Sequence, residues 1–150
     1  MDELKVSEGY STTQYIVIQL GDERYGIDIK HIDNIVKMQR ITRVPKVPKY
    51  LRGVINLRGE VVTVMDLRSK MELPVVEATK NTRIIILKVE NMEKTGIIVD
   101  EVREVVTLSD DSVEKVTHDA KDETSLFVNA VGKVGGELVS LLDLHTVFAE

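Results

Sequence analysis

The sequence predicts a mainly β protein made from two copies of one small antiparallel barrel unit. An internal repeat is the first observation behind this. Residues 53–68 are echoed without gaps by residues 130–145, so that Val54 meets Val131, Gly59 meets Gly136, Glu60 meets Glu137 and Val62 meets Val139. Asp66-Leu67 likewise meets Asp143-Leu144. An earlier stretch repeats too: Gly26-Ile27, Ile32 and Ile35-Val36 answer Gly96-Ile97, Val102 and Val105-Val106. The second observation is the number of short apolar segments closed by tight turns, which favours small barrels over a parallel α/β sheet. The third is size. At 150 residues, each copy holds roughly 60 residues, too few for a secure core of its own. The two halves, about 13–70 and 80–150, are therefore expected to share one core.

The elements follow in order. Residues 1–12 are polar and unpatterned and read as a mobile tail. Thr13–Leu20 is strand-like and Gly21-Asp22-Glu23 a turn. Tyr25, Ile27 and Ile29 alternate with Arg24, Gly26 and Asp28, the mark of a half-buried strand. Asp28 is then expected to cap a short helix carrying Ile32, Ile35 and Val36 on one face, with Asp100 doing the same before Val102, Val105 and Val106. Pro45 and Pro48 make a stiff loop. Val54–Leu57 turns through Arg58-Gly59 into Glu60–Met65, a hairpin, and Gly132–Gly136 reads as a second hairpin turn. Asp66 and Asp143 follow strands and precede helix-prone stretches, as N-caps do. Ile84-Ile85-Ile86-Leu87 is a strand covered on both faces, where the two units meet. Residues 109–125 form a polar surface excursion, and Asp143–Glu150 closes the chain as a short helix with Val147 and Phe148 tucked inward.

Composition narrows the chemistry. With 43% hydrophobic and 30% charged residues the chain is globular. No apolar run approaches the roughly 20 residues a membrane span needs, and Met1-Asp2-Glu3-Leu4-Lys5 lacks the order of a signal peptide. These features predict a cytoplasmic protein. There is no cysteine, hence neither disulfide nor thiolate metal site. His31, His118 and His145 are scattered, with no pair at helical metal spacing. His118 lies beside Asp119, Asp122 and Glu123, which read as a solvated acidic loop. No serine sits in a Gly-x-Ser-x-Gly elbow, and Val134 stands where a phosphate loop needs Ser or Thr after Gly132-Lys133. The expectation is a non-enzymatic protein without metal or cofactor.

A net charge of −5 hides an asymmetry. Lys37, Arg40, Arg43, Lys46, Lys49, Arg52 and Arg58 fall in a stretch without acids, whereas acids dominate from Asp100 onward. Opposed patches suit oriented docking. A small ligand- or single-stranded nucleic-acid-binding barrel using Lys37–Arg58 is the alternative. It is disfavoured because Tyr50 is the only aromatic in that stretch, where stacking platforms are needed.

Several phrases carry a family resemblance. Tyr25-Gly26-Ile27-Asp28-Ile29, then Pro45 and Pro48, then Leu51-Arg52-Gly53-Val54-Ile55-Asn56-Leu57-Arg58-Gly59 resemble the CheW family of bacterial chemotaxis coupling proteins. Val64-Met65-Asp66-Leu67-Arg68 and Gly96-Ile97-Ile98-Val99-Asp100-Glu101-Val102 do so as well. The resemblance runs from about Thr13 to Phe148. It implies two intertwined five-stranded SH3-like barrels around a shared core, forming a single CheW-like domain over 13–150. It also implies an adaptor joining the cytoplasmic tips of chemoreceptors to the regulatory domain of the histidine kinase CheA, monomeric alone and polymeric in the receptor–kinase array. At 150 residues the stand-alone adaptor fits better than relatives with an added kinase or receiver domain. Carried over by motif, the receptor-binding groove involves Ile32, Gly53, Asn56, Arg58, Val102 and Val105. No motif assigns the kinase-binding residues. Relatives often carry Glu at the position of Asn34, suited to pairing with the motif arginine, so Arg58 is expected to lean on the Asn34 carbonyl or another acid.

Overall fold

The structure, a computed structural model, describes residues 11–116 and 127–149. Most of the expected N-terminal tail lies outside the described residues, as does the His118, Asp119, Asp122 and Glu123 stretch. Eleven strands form two sheets. They are β1 (Thr12–Leu20), β2 (Glu23–Asp28), β3 (Ile32–Lys37), β4 (Leu51–Leu57), β5 (Glu60–Asp66) and β6 (Arg83–Leu87). Then follow β7 (Thr95–Val99), β8 (Glu101–Ser109), β9 (Glu114–Lys115), β10 (Val128–Val134) and β11 (Glu137–Leu142). Short helices α1 (Leu67–Lys70) and α2 (Leu144–Phe148) follow β5 and β11. One sheet has six strands in the order β8-β1-β2-β11-β10-β9, the other five in the order β3-β6-β7-β5-β4.

Each sheet takes strands from both halves of the chain. The six-stranded sheet holds β1 and β2 with β8 to β11, and the five-stranded sheet holds β3 to β5 with β6 and β7. The repeat therefore extends to the pairing. β1 pairs β8 as β6 pairs β3, and β2 runs parallel to β11 as β7 runs parallel to β5. The bulge between Leu51 and Gly53 on β4 recurs between Val128 and Ala130 on β10. A row of paired residues Ile32–Leu87–Thr95–Thr63–Val54 crosses one sheet. Its counterpart Val102–Ile18–Tyr25–Ser140–Val131 crosses the other.

The two expected helices after Asp28 and Asp100 are strands. Asp28 accepts a hydrogen bond from Lys30 N at 3.0 Å, but it caps only a 3-10 turn, Ile29–His31. Ile32–Lys37 is then β3, and Asp100 leads directly into β8. The helical spacing has a physical origin: a bulge lies between Ile32 and Asn34 on β3, and β8 has the matching irregularity opposite Val17 and Ile18. One extra residue puts Ile32 and Ile35, three apart, on the same face of the strand. Val36 turns to the other face.

Alternation along the strands builds three apolar clusters. Ile16, Ile18, Leu20, Tyr25 and Ile27 of one sheet meet Met65, Ile85, Leu87, Ile97 and Val99 of the other, joined by Leu67, Leu144 and Val147 from the helices. This is the shared core. Opposite faces build private cores, Ile55, Val62, Val64, Ile84 and Ile86 in one sheet and Val17, Leu108, Ala130, Val139 and Leu141 in the other. Ile84 to Leu87 are buried on both faces, as their continuous apolar run predicts. Asp66 caps α1 by accepting from Arg68 N and Ser69 N, and Asp143 caps α2 by accepting from His145 N.

The repeated glycines Gly26 and Gly96 face side chains of neighbouring strands, the parallel β11 for Gly26 and the antiparallel β6 for Gly96. A Cβ on Gly96 would stand 2.7 Å from Ile84 Cγ2, and one on Gly26 2.8 Å from Leu141 Cδ2. Overpacking of this kind costs about 1–3 kcal/mol. Gly96→Ala should lower the urea midpoint accordingly with an unchanged m value; an unaltered midpoint would show that the private core yields freely.

Candidate docking seam and hairpin rim

Among the described residues, β3 and β8 are edge strands, β3 hydrogen-bonded only to β6 and β8 only to β1. Ile32 and Ile35 lie opposite Leu87 and Ile85, and Val102 and Val105 opposite Ile18 and Ile16. Directly opposed residues share a face, and all four partners belong to the shared core. Ile32, Ile35 and Val102 are half-buried against that core, while Val105 is 51% exposed. Each edge strand thus carries an apolar strip that borders the shared core. Val102 thus flanks the core, whereas Val105 is a surface residue.

Asn56 and Arg58 sit on the β4–β5 hairpin, beyond the row that begins at Ile32. Arg58 (φ 55°) and Gly59 (φ 82°) both take positive φ, the two central residues of a primed hairpin turn. Gly135 (φ 57°) and Gly136 (φ 84°) repeat it in the second half. Asn56 Oδ1 accepts from Gly59 N at 3.1 Å and holds the turn. The expected link from Arg58 to Asn34 is not made. Asn34 Oδ1 instead accepts from Ile35 N at 2.8 Å, and among the described residues the exposed Arg58 side chain has no hydrogen bond or ion pair. Gly53 is buried with φ 144°, and a Cβ there would lie 2.0 Å from Thr42 O. Its job is local: it lets Thr42 exchange two 2.8 Å backbone hydrogen bonds with Val54.

Three features escaped the sequence reading. Lys94, just before β7, lies 3.5 Å from Asp33 Oδ2 on β3 and 3.3 Å from Glu60 Oε1 on β5. Hydrogen bonding to Glu60 and the nearby Asp33 charge raise its pKa. Val61 and Leu138 are the most exposed large hydrophobics, at 68% and 64%, and occupy the same place after the two hairpin turns. The repeat alignment pairs them, and an apolar residue at an outward position in both copies was the available signal. Arg68 grips Asp100 with Nε at 2.8 Å and Nη2 at 2.6 Å, while Gly21 N donates to the same carboxylate at 2.8 Å. A third contact runs from Arg68 Nη1 to Pro74 O at 2.8 Å. Asp100 is thus an acceptor that ties α1, the β1–β2 turn and the β7–β8 corner together, and not a helix cap. A cavity of about 480 Å³ beside it is lined by Arg52, Asp66, Arg68 and Asp100. The Arg52–Asp66 pair at 3.1 Å and the Arg68–Asp100 pair already match those charges.

An apolar seam between two repeat-related sheets, with a charged hairpin beside it, defines a duplicated double-sheet module. The CheW-like domain family model matches residues 14–150, and the chain belongs to that family. It is 35% identical over 145 residues to the chemotaxis protein CheW of Bacillus subtilis, covering 97% of this chain and 89% of that one. The CheW of Treponema pallidum is 32% identical, with coverage of 91% and 82%. Among solved structures, the scaffolding protein TtCheW from Thermoanaerobacter tengcongensis superposes with a TM-score of 0.85 at 31% identity, covering 93% of this chain and 94% of that one.

The Arg68 guanidinium, followed by the Gly21 amide, holds the Asp100 carboxyl below its ordinary value of 3.8 against the opposing effect of burial. A depressed carboxyl stabilises the fold above its unfolded-state pKa, and that contribution fades as pH falls through the folded one. Asp100→Asn should therefore cost about 2 kcal/mol near neutral pH, as loss of charge-assisted hydrogen bonds does. The gap from the parent protein should narrow below about pH 4. Denaturant titrations at pH 7 and pH 3 measure it; a gap independent of pH would contradict the assignment.

Proposed function

We propose that the protein is a non-enzymatic chemotaxis adaptor that joins the cytoplasmic tips of transmembrane chemoreceptors to the regulatory domain of the histidine kinase CheA. The observation carrying this reading is the apolar margin of β3 and β8 around the shared core, beside the Arg58 hairpin. An amphipathic helix needs an apolar trough and a few polar anchors. Ile32, Ile35, Val102 and Val105 supply the trough. Arg58, without an internal acid partner among the described residues, supplies a fixed fork of donors for carboxylates or helix-end carbonyls. Asn56 and Gly53 act behind it, one holding the hairpin turn and the other the close approach of Thr42.

The kinase-facing surface is a separate matter, and the twin positions Val61 and Leu138 are its best support. Each sheet offers one apolar residue at the same place, which suits pairing with a partner domain of the same duplicated architecture. Two faces per molecule allow a monomer to join partners into an extended array. Individually weak contacts then act together through high effective concentration. In this reading the protein works in the cytoplasm and reaches the membrane only through its partners.

Arg58→Ala should leave stability within about 0.5 kcal/mol, as for an exposed side chain, yet weaken binding of a receptor helical-hairpin fragment about tenfold. Val105→Asp should keep the parent circular dichroism spectrum, because Val105 is surface, and lose receptor binding while retaining the kinase domain. Unchanged pull-down of receptor fragment by either variant would contradict the seam, and unfolding of Val105→Asp would return that residue to the core.

A further inference from the structure

The ion pairs of Lys94 are unusual in what they join. Asp33 lies on β3, next to Ile32, at the bulge; Glu60 follows the Arg58-Gly59 turn. In the sheet order, β6 and β7 stand between β3 and β5, which puts β3 and β5 about 14 Å apart in a flat sheet. A single ammonium nevertheless reaches both carboxylates, because Asp33, Glu60 and Lys94 all lie at the sheet end marked by the Ile32–Val54 row. The bridge closes that end of the sheet over the intervening strands. It also engages Glu60, which directly follows the Arg58-Gly59 turn.

We propose that Lys94 is a positioning residue for docking at this rim: by gripping Asp33 and Glu60 together it fixes the Arg58 hairpin against β3 and keeps the Arg58 guanidinium available to a partner's acidic groups. This rests on the seam-and-rim reading above and adds to it a residue that need not touch the partner. Single exposed ion pairs contribute little, but here one cation serves two anions from separate strands. The side chains of Lys94 and Asp33 are about a third exposed, at 30% and 36%, and that of Glu60 is 58% exposed. With Lys94 removed, Asp33 and Glu60 lose this ion pair, and Glu60, next to the Arg58-Gly59 turn, is left free to draw the arginine back onto the hairpin. Such an arrangement is screened by salt, so part of the salt dependence of docking arises inside this protein.

The test is a titration of a chemoreceptor helical-hairpin fragment into the full chain at low salt, with thermal unfolding measured alongside. Lys94→Met should weaken binding about fivefold, and Lys94→Arg should restore it. In an Asp33→Asn, Glu60→Gln background, Lys94→Met should cost nothing further, because no carboxylates remain to be released. A loss of equal size in that background would mean that Lys94 touches the partner directly and would overturn the positioning role, as would unchanged binding by Lys94→Met in the parent. Arg58→Ala serves as the separate control: if it binds like the parent, the rim reading itself fails whatever Lys94 does.

Discussion

Every other feature depends on the shared apolar core between the sheets. Ile16, Ile18, Ile85 and Leu87 reach it from the two central strands β1 and β6, whose alternate residues line the private cores. Because β3 and β8 leave their own halves to pair with β6 and β1, neither half can complete a sheet or bury its apolar faces alone. The same exchange leaves β3 and β8 as edges beside the shared core. The half-buried apolar residues along these edges are therefore a direct consequence of how the core is closed. Edge strands of this kind invite contacts, and the bulges on both strands set which side chains face outward.

On this repeated frame the sequence writes differences, and the differences separate the two faces. The hairpin turn is the same in both halves, but Arg58 stands where the second copy has Gly135. A non-glycine residue in that conformation costs about 1 kcal/mol. The crossover into β3 relies on a local 3-10 turn capped by Asp28, whereas the crossover into β8 is held by Arg68 through Asp100. Val61 and Leu138, by contrast, keep both hairpins alike in apolar exposure. A module with one paired and one unpaired set of surface features is suited to two unlike partners.

Much of the fold was legible because glycines and aspartates repeat along with the apolar residues. Gly59 and Gly136 mark turns, Gly26 and Gly96 mark close packing against a neighbouring strand, and Asp66 and Asp143 mark helix starts. The helices expected over Ile32–Val36 and Val102–Val106 failed because a bulged strand reproduces helical spacing for a few residues, and only the pairing partner tells them apart. Asp100 was misjudged for a related reason: an aspartate ahead of such spacing looks like a cap, while its true partner, Arg68, is remote in sequence. Of the candidate site residues, Ile32 lies on the edge strand β3, Val102 and Val105 on the edge strand β8, and Asn56 and Arg58 on the β4–β5 hairpin. Lys94 could not be read at all, since its two carboxylates come from strands brought together only by the tertiary fold.

The docking site proposed for a receptor helix is the apolar edge formed by β3 and β8. Methyl NMR of Ile32, Ile35, Val102 and Val105 during titration with a receptor helical-hairpin fragment examines it most directly. The account expects these four methyl groups to shift together, saturating at one stoichiometric end point, while the private-core methyls of Val62 and Val139 stay in place. Shifts confined to Val61, Leu138 or the 37–49 loop, with the seam unmoved, would contradict it.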